Sequence, residues 1–212
     1  NRITCRDWFQ LSLKEGLTVF RDQCFTADLH SEPLKRIEDA AMLRNTQFRE
    51  DAGPTAHPVK PDSYQAIDNF YTTTIYEKGA ELIRMLRTLL GSERFMRGMS
   101  LFFKRHDGEA ATTEDFVAAI VDGAGADGQP LGFDVDQFRL WYHQAGTPHI
   151  TVKSLWDADA GRLSLTLQQS TAPTPGQERK QALVIPVLWS VLQPDGCAGE
   201  ERLLVLDQEE KT

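Results

Sequence analysis

The apolar residues of this 212-residue chain change their period once, at Gly146-Thr147-Pro148. Upstream they recur every three or four residues, the spacing of a helix face, and downstream they alternate in runs of strand length. The chain therefore reads as α+β, with helices first and strands second, and divides into a helical domain over 1–147 and a β domain over 148–212. A helix is expected from Ser12 to Leu29, with Leu13, Leu17, Phe20 and Cys24 along one stripe. Ser31-Glu32-Pro33 interrupts it, and a second helix is expected from Leu34 to about Phe48. The stretch from Arg49 to Pro61, with Gly53-Pro54 and His57-Pro58, reads as a long loop because each Pro pushes its predecessor out of the helical region. Loops of that length are usually functional or disordered.

Tyr76 to Leu90 is helical by spacing, with Gly91 as its left-handed cap and Ser92 capping the helix that follows. Gly79 inside that helix costs about 1 kcal/mol relative to Ala, which points to another backbone packed against it. Thr112 or Thr113 ahead of Glu114 and Asp115 offers a cap for a helix through Phe116 and Ile120. The last helix runs from Val135 to Gln144, with Phe138, Trp141 and Tyr142 inward; Asp134 and Asp136 at its start suit the helix dipole. Strands are expected at His149–Leu155, Arg162–Ser170, Ala182–Leu192 and Glu201–Leu206, the first two joined by a turn at Asp157–Gly161. The inner face Leu163, Leu165, Leu167 needs a second layer that nothing after Thr212 supplies, so the sheet reads as truncated.

With 31 acidic against 23 basic residues the net charge is −8, which disfavours a nucleic-acid partner. No apolar run approaches the roughly 18 to 20 residues that span a bilayer, so no membrane segment is expected. Cys5, Cys24 and Cys197 are odd in number and form no CxxC pair, which fits a reducing compartment, and a cytoplasmic protein is expected.

The segment from Phe9 to Asp22 places two acids, Glu15 and Asp22, at i and i+7 on one face of a helix apolar enough to be buried. A buried carboxylate must find a cation, several donors or a metal. A pairing of Glu15 with Arg6 or Arg21 and a metal role are both open on spacing alone. The segment Asn69-Phe70-Tyr71-Thr72-Thr73-Thr74-Ile75-Tyr76-Glu77-Lys78-Gly79-Ala80 presents hydroxyls at a helix start. There a Tyr can donate to a developing oxyanion while staying neutral, or simply pack. His30, His57, His106, His143 and His149 show no HExxH and no i, i+4 pair, so each reads as a surface or satisfied residue. There is no GxSxG elbow and no Gly-rich phosphate loop.

Residues 1–23, Asn-Arg-Ile-Thr-Cys-Arg-Asp-Trp-Phe-Gln-Leu-Ser-Leu-Lys-Glu-Gly-Leu-Thr-Val-Phe-Arg-Asp-Gln, closely resemble the stretch after the zinc motif in bacterial gluzincin metallo-aminopeptidases. Asn69–Ala80, Arg105-His106-Asp107-Gly108, Trp141-Tyr142 and Gly146-Thr147-Pro148 follow the same family in the same order, and Asp68 departs from an Asn usual there. The resemblance implies the helical C-terminal half of a thermolysin-like catalytic domain followed by the first strands of a β-sandwich domain. It implies one Zn²⁺ held by HExxH and by a Glu roughly eighteen residues further on, which makes Glu15 the metal ligand. Only fourteen residues precede Glu15, so the two His ligands and the general-base Glu are expected upstream of Asn1. Tyr76 is implied as the catalytic hydroxyl that stabilises the oxyanion, and Asp22 as the acid orienting a zinc-bound His. The resemblance also implies peptide substrates with a free N-terminus, a broad preference that includes Ala, and the missing upstream and downstream parts of the same enzyme as partners. The piece alone is expected to be inactive. The competing expectation is a non-catalytic helical plus β-sandwich interaction module.

Overall fold

A computed structural model describes residues 2–212. Helix α1 (Leu11–Leu29) is the central rod of the helical part, and α4 (Gly79–Leu90), α5 (Ser92–His106) and α6 (Thr113–Ala124) stack beside it. Their facing stripes form one core, including Leu13 and Phe20 of α1, Ile83 and Leu86 of α4, Phe95 and Phe102 of α5, and Phe116 and Ile120 of α6. Phe20 meets Phe95 edge to face with ring centres 5.9 Å apart, and Phe102 meets Phe116 likewise at 5.1 Å.

A second layer is built by α2 (Glu32–Met42), which runs on through a π turn, Leu43–Gln47, into α3 (Phe48–Asp51). Sequence spacing starts this helix at Leu34, yet it begins at Glu32: Pro33 lies in the first turn, where its missing N–H has no partner to lose. The helix also passes Phe48, because the π turn inserts a residue without breaking the chain of hydrogen bonds. The irregular stretch consequently begins at Ala52. Ser92 makes no side-chain cap; Gly91, at φ 77°, takes that position for α5. Thr112 caps α6 in a reciprocal box with Asp115, and Asp134 caps α7 (Val135–His143) by accepting from the Asp136 and Gln137 amides.

Two short strands, β1 (Thr4–Cys5) and β2 (Ala110–Ala111), pair in parallel and tie the segment before α1 to the start of α6. After α7 come β3 (His149–Asp157), β4 (Arg162–Ser170), β5 (Ile185–Trp189), β6 (Arg202–Leu206) and β7 (Glu210–Lys211). They form an antiparallel β3-β4-β7 sheet and an antiparallel β5-β6 pair. The expected strand Ala182–Leu192 shrinks to Ile185–Trp189: Leu183 and Val184 are buried in the core shared by helices and strands, and their backbones pair with the Gln169 and Trp141 side chains rather than with a ladder. Of the face Leu163, Leu165, Leu167, only Leu167 is buried, at 2% exposure, while every residue of β3 is open. The β part docks on the helical part through the Trp141 indole, which donates to the Val184 carbonyl at 2.8 Å, and through Gln137, which donates to the Ala182 and Asp207 carbonyls.

Candidate active site

The site forms where α1 crosses the start of α4, and two glycines set how close that crossing is. A Cβ on Gly16 would lie 2.7 Å from the Gly79 carbonyl carbon, so α1 cannot carry a side chain there without the two helices being pushed apart. Glu15 immediately precedes one glycine and Tyr76 lies three residues before the other, so the crossing brings the two side chains together. The packed backbone foreseen from Gly79 is thus Gly16 of α1.

Tyr76 is not on an α-helix, as its spacing suggested, but on a π turn, Thr74–Lys78, that leads into α4. Such turns recur at functional sites because the extra residue re-aims a side chain. This one is gripped on every side. The Glu50 carboxylate accepts from the Thr74 amide at 2.7 Å and the Thr74 hydroxyl at 2.5 Å, and Gln47, on the other π turn, donates to the same hydroxyl at 3.3 Å. The Thr72 hydroxyl accepts from the Ile75 amide at 3.3 Å and lies 2.9 Å from His57 Nε2. His57 Nδ1 sits 2.8 Å from the Pro58 carbonyl, which assigns the Nδ1 proton and, in the neutral ring, has Nε2 accept from Thr72. The satisfied-histidine reading holds for His57. Thr72 belongs to the hydroxyl-bearing segment the sequence singled out, but Glu50 and Gln47 carried no signal there, since only the fold brings the 47–57 segment onto the 72–76 segment.

Glu15 is half-buried, and its carboxylate pairs with Lys14 at 2.9 Å rather than with Arg6 or Arg21. Arg6 lies beside Asp7, and Arg21 is six residues along α1, roughly 240° around the helix. The hydrogen bond to Glu15 raises the Lys14 ammonium pKa. Desolvation raises the Tyr76 phenol, and the nearby Glu15 charge raises it further, so the hydroxyl keeps its proton and remains a donor. Tyr71 stacks at a tilt on Tyr76 with ring centres 6.5 Å apart, and Trp8 meets Tyr71 edge-on at 6.4 Å. Tyr71 is 51% exposed, so this aromatic wall borders the site and is not core.

Asp22 is exposed, two turns or about 10.5 Å further along α1. It does not join the Glu15–Tyr76 pair, because a seven-residue step keeps the face but not the level.

Behind Tyr76, Asp51 and Lys78 form an ion pair at 2.7 Å with side chains 0% and 6% exposed. Burial by itself would raise the Asp51 carboxyl; the Lys78 charge and hydrogen bond, with the Gly146 amide and Gln47, outweigh it and hold the carboxyl below its usual range. Among the described residues no three His, Cys, Asp or Glu side chains converge on one point. Glu15 would suit a zinc ion as a single carboxylate donor, half-covered and unencumbered except by Lys14 and Tyr76, but it would supply one donor where catalytic zinc takes three protein ligands.

Residues 1–141 match the model of the Peptidase family M1 domain, and residues 146–212 match a domain of unknown function (DUF3458) with an Ig-like fold. The chain is 52% identical over 196 residues to Aminopeptidase N of Escherichia coli (strain K12), covering 92% of this chain and 22% of that protein. It is 56% identical over 164 residues to Aminopeptidase N of Caulobacter vibrioides, covering 77% and 18% respectively. Among solved structures, Legionella pneumophila aminopeptidase A in complex with aspartic acid superposes with a TM-score of 0.76 at 30% identity, covering 99% of this chain and 22% of that one. The chain thus spans about a fifth of the length of the relatives it matches.

Proposed function

This chain belongs to peptidase family M1, and from that premise we propose that it is part of a zinc-dependent aminopeptidase that hydrolyses N-terminal residues from peptides. The observation that carries the reading is the meeting of Glu15 and Tyr76 across the Gly16–Gly79 crossing. A carboxylate donor and a protonated phenol held side by side are the parts a tetrahedral intermediate needs from this half of a site. Glu15 would be the carboxylate ligand, completed by donors from outside these residues. When bound, zinc supplies a Lewis acid and an activated water.

The remaining work belongs to the chain's own groups. Tyr76 keeps its proton against the Glu15 charge and donates it as a hydrogen bond to the carbonyl oxygen as negative charge grows there. The π turn and its Glu50, Gln47 and Thr72 anchors fix where that hydroxyl points, so little reorganisation accompanies the reaction. The wall of Trp8 and Tyr71 borders the same opening and offers apolar surface to a substrate. Asp22, at its level on α1, would act only through a group that these residues do not include.

The assay is hydrolysis of an aminoacyl chromogenic substrate by a longer polypeptide that includes these residues, with and without a chelator. Activity lost on chelation and restored by zinc is the expected result. Activity indifferent to the chelator overturns the zinc reading, and an inactive, well-folded, zinc-loaded protein favours the interaction module instead.

A further inference from the structure

Asp51 and Lys78 are the most deeply buried ion pair among the described residues, and the pair does more than neutralise itself. Asp51 Oδ1 accepts from the Gly146 amide at 2.8 Å, and Oδ2 accepts from the Thr147 hydroxyl at 3.0 Å. Lys78 donates to the Gly146 carbonyl at 3.0 Å. Both backbone polar groups of Gly146, a residue at φ 92°, are therefore held by one ion pair, at the tripeptide where helices give way to strands. From the β side, Lys180 donates to the Ala145 carbonyl at 2.9 Å, so the junction is gripped from both directions. Lys78 lies two residues after Tyr76 on the same π turn.

Buried ion pairs contribute little net stability, since apolar residues of like volume often serve as well. What apolar residues cannot do is hold a peptide group in one orientation. We propose that Asp51 and Lys78 are positioning residues that set the Tyr76 hydroxyl by locking its turn to the Gly146-Thr147 junction, so that the placement of the β part is felt at the reaction centre. This rests on the reading of Tyr76 as the oxyanion donor.

The test uses the longer active polypeptide and compares Thr147→Val, the double variant Asp51→Leu/Lys78→Met and Tyr76→Phe for kcat, KM and thermal midpoint. Thr147→Val keeps the shape and removes only the hydroxyl on Asp51. The expected result is a kcat lowered several-fold in Thr147→Val and about tenfold in the double variant, with KM within about twofold and the double variant folded. A purely structural pair would give a folded double variant with full kcat, and that outcome overturns the inference. Should the double variant not fold, Thr147→Val decides alone, and full kcat there is equally fatal. Tyr76→Phe separates the two claims: unchanged kcat in that variant removes the underlying role of Tyr76. An impaired Tyr76→Phe beside fully active junction variants removes only the latch.

Discussion

Gly16 and Gly79 meet backbone against backbone, but unequally: a Cβ on Gly16 would come within 2.7 Å of Gly79, whereas a Cβ on Gly79 would sit 3.3 Å from the Gly16 Cα. Alanine favours a helix by about 1 kcal/mol over glycine, and overpacking costs about 1–3 kcal/mol, so the two effects compete. Gly16→Ala is expected to lose, destabilising by about 1–2 kcal/mol and lowering kcat as Glu15 and Tyr76 are pried apart. Gly79→Ala is expected to fall within about 1 kcal/mol of the parent. Denaturant unfolding of both variants checks the order, and a Gly79→Ala more harmful than Gly16→Ala contradicts the geometry.

Removing the hydroxyl alone isolates its chemistry. Tyr76→Phe keeps the ring against Tyr71 and is expected to lower kcat by on the order of 10² to 10³ with little change in KM, the cost of one oxyanion donor. Steady-state kinetics on the longer polypeptide read this directly, and a rise in KM at constant kcat would assign Tyr76 to substrate binding instead.

Residues 1–212 by themselves supply one carboxylate toward zinc, so titration calorimetry of this chain is expected to show weak binding. Glu15→Gln should leave that weak signal almost unchanged in the isolated chain and abolish tight binding in the longer polypeptide. Tight stoichiometric binding by residues 1–212 would point to ligands elsewhere on this chain.

The Asp51 carboxyl titrates below its unfolded value of about 3.9. A depressed folded pKa contributes stability that is present above the unfolded value and lost as pH falls through the folded one. Asp51→Asn leaves Lys78 buried without its counter-charge and is expected to cost on the order of 3 kcal/mol near pH 7. That deficit should begin to shrink below about pH 4, where the unfolded parent takes up the proton, and vanish once pH has fallen through the depressed folded value. Denaturant midpoints across pH 2.5–7 follow it, about a unit apart per point. A deficit constant with pH would deny Asp51 its charge in the folded protein.

The helices and strands were legible because their apolar period is local, and Glu15 and Tyr76 could be singled out because the residues around them resemble a family. What escaped was everything that depends on two distant segments meeting. Spacing could mark Gly79 as a point of close approach but not name Gly16 as its partner. It suggested an arginine for Glu15, when the adjacent Lys14 was nearer than either candidate. The shared face put Asp22 on the Glu15 side of α1 but could not say that the two acids lie two turns apart. The π turns were invisible because their residue spacing departs from 3.6 by a single insertion, and Glu50, His57 and Thr72 became neighbours only through them.

Two such turns stack on each other, joined by Gln47 and Thr74. Each carries one residue more than an α-helix would hold in the same rise, and a helix advances about 100° per residue. Deleting one residue from Thr74–Lys78 would therefore restore ordinary helical spacing and swing the Tyr76 ring about a quarter turn away from Glu15. It would also shift Thr74 from Glu50 or Lys78 from Asp51, so the length of this segment, counted residue by residue, is tied at once to the alignment of the site and to the buried contacts behind it.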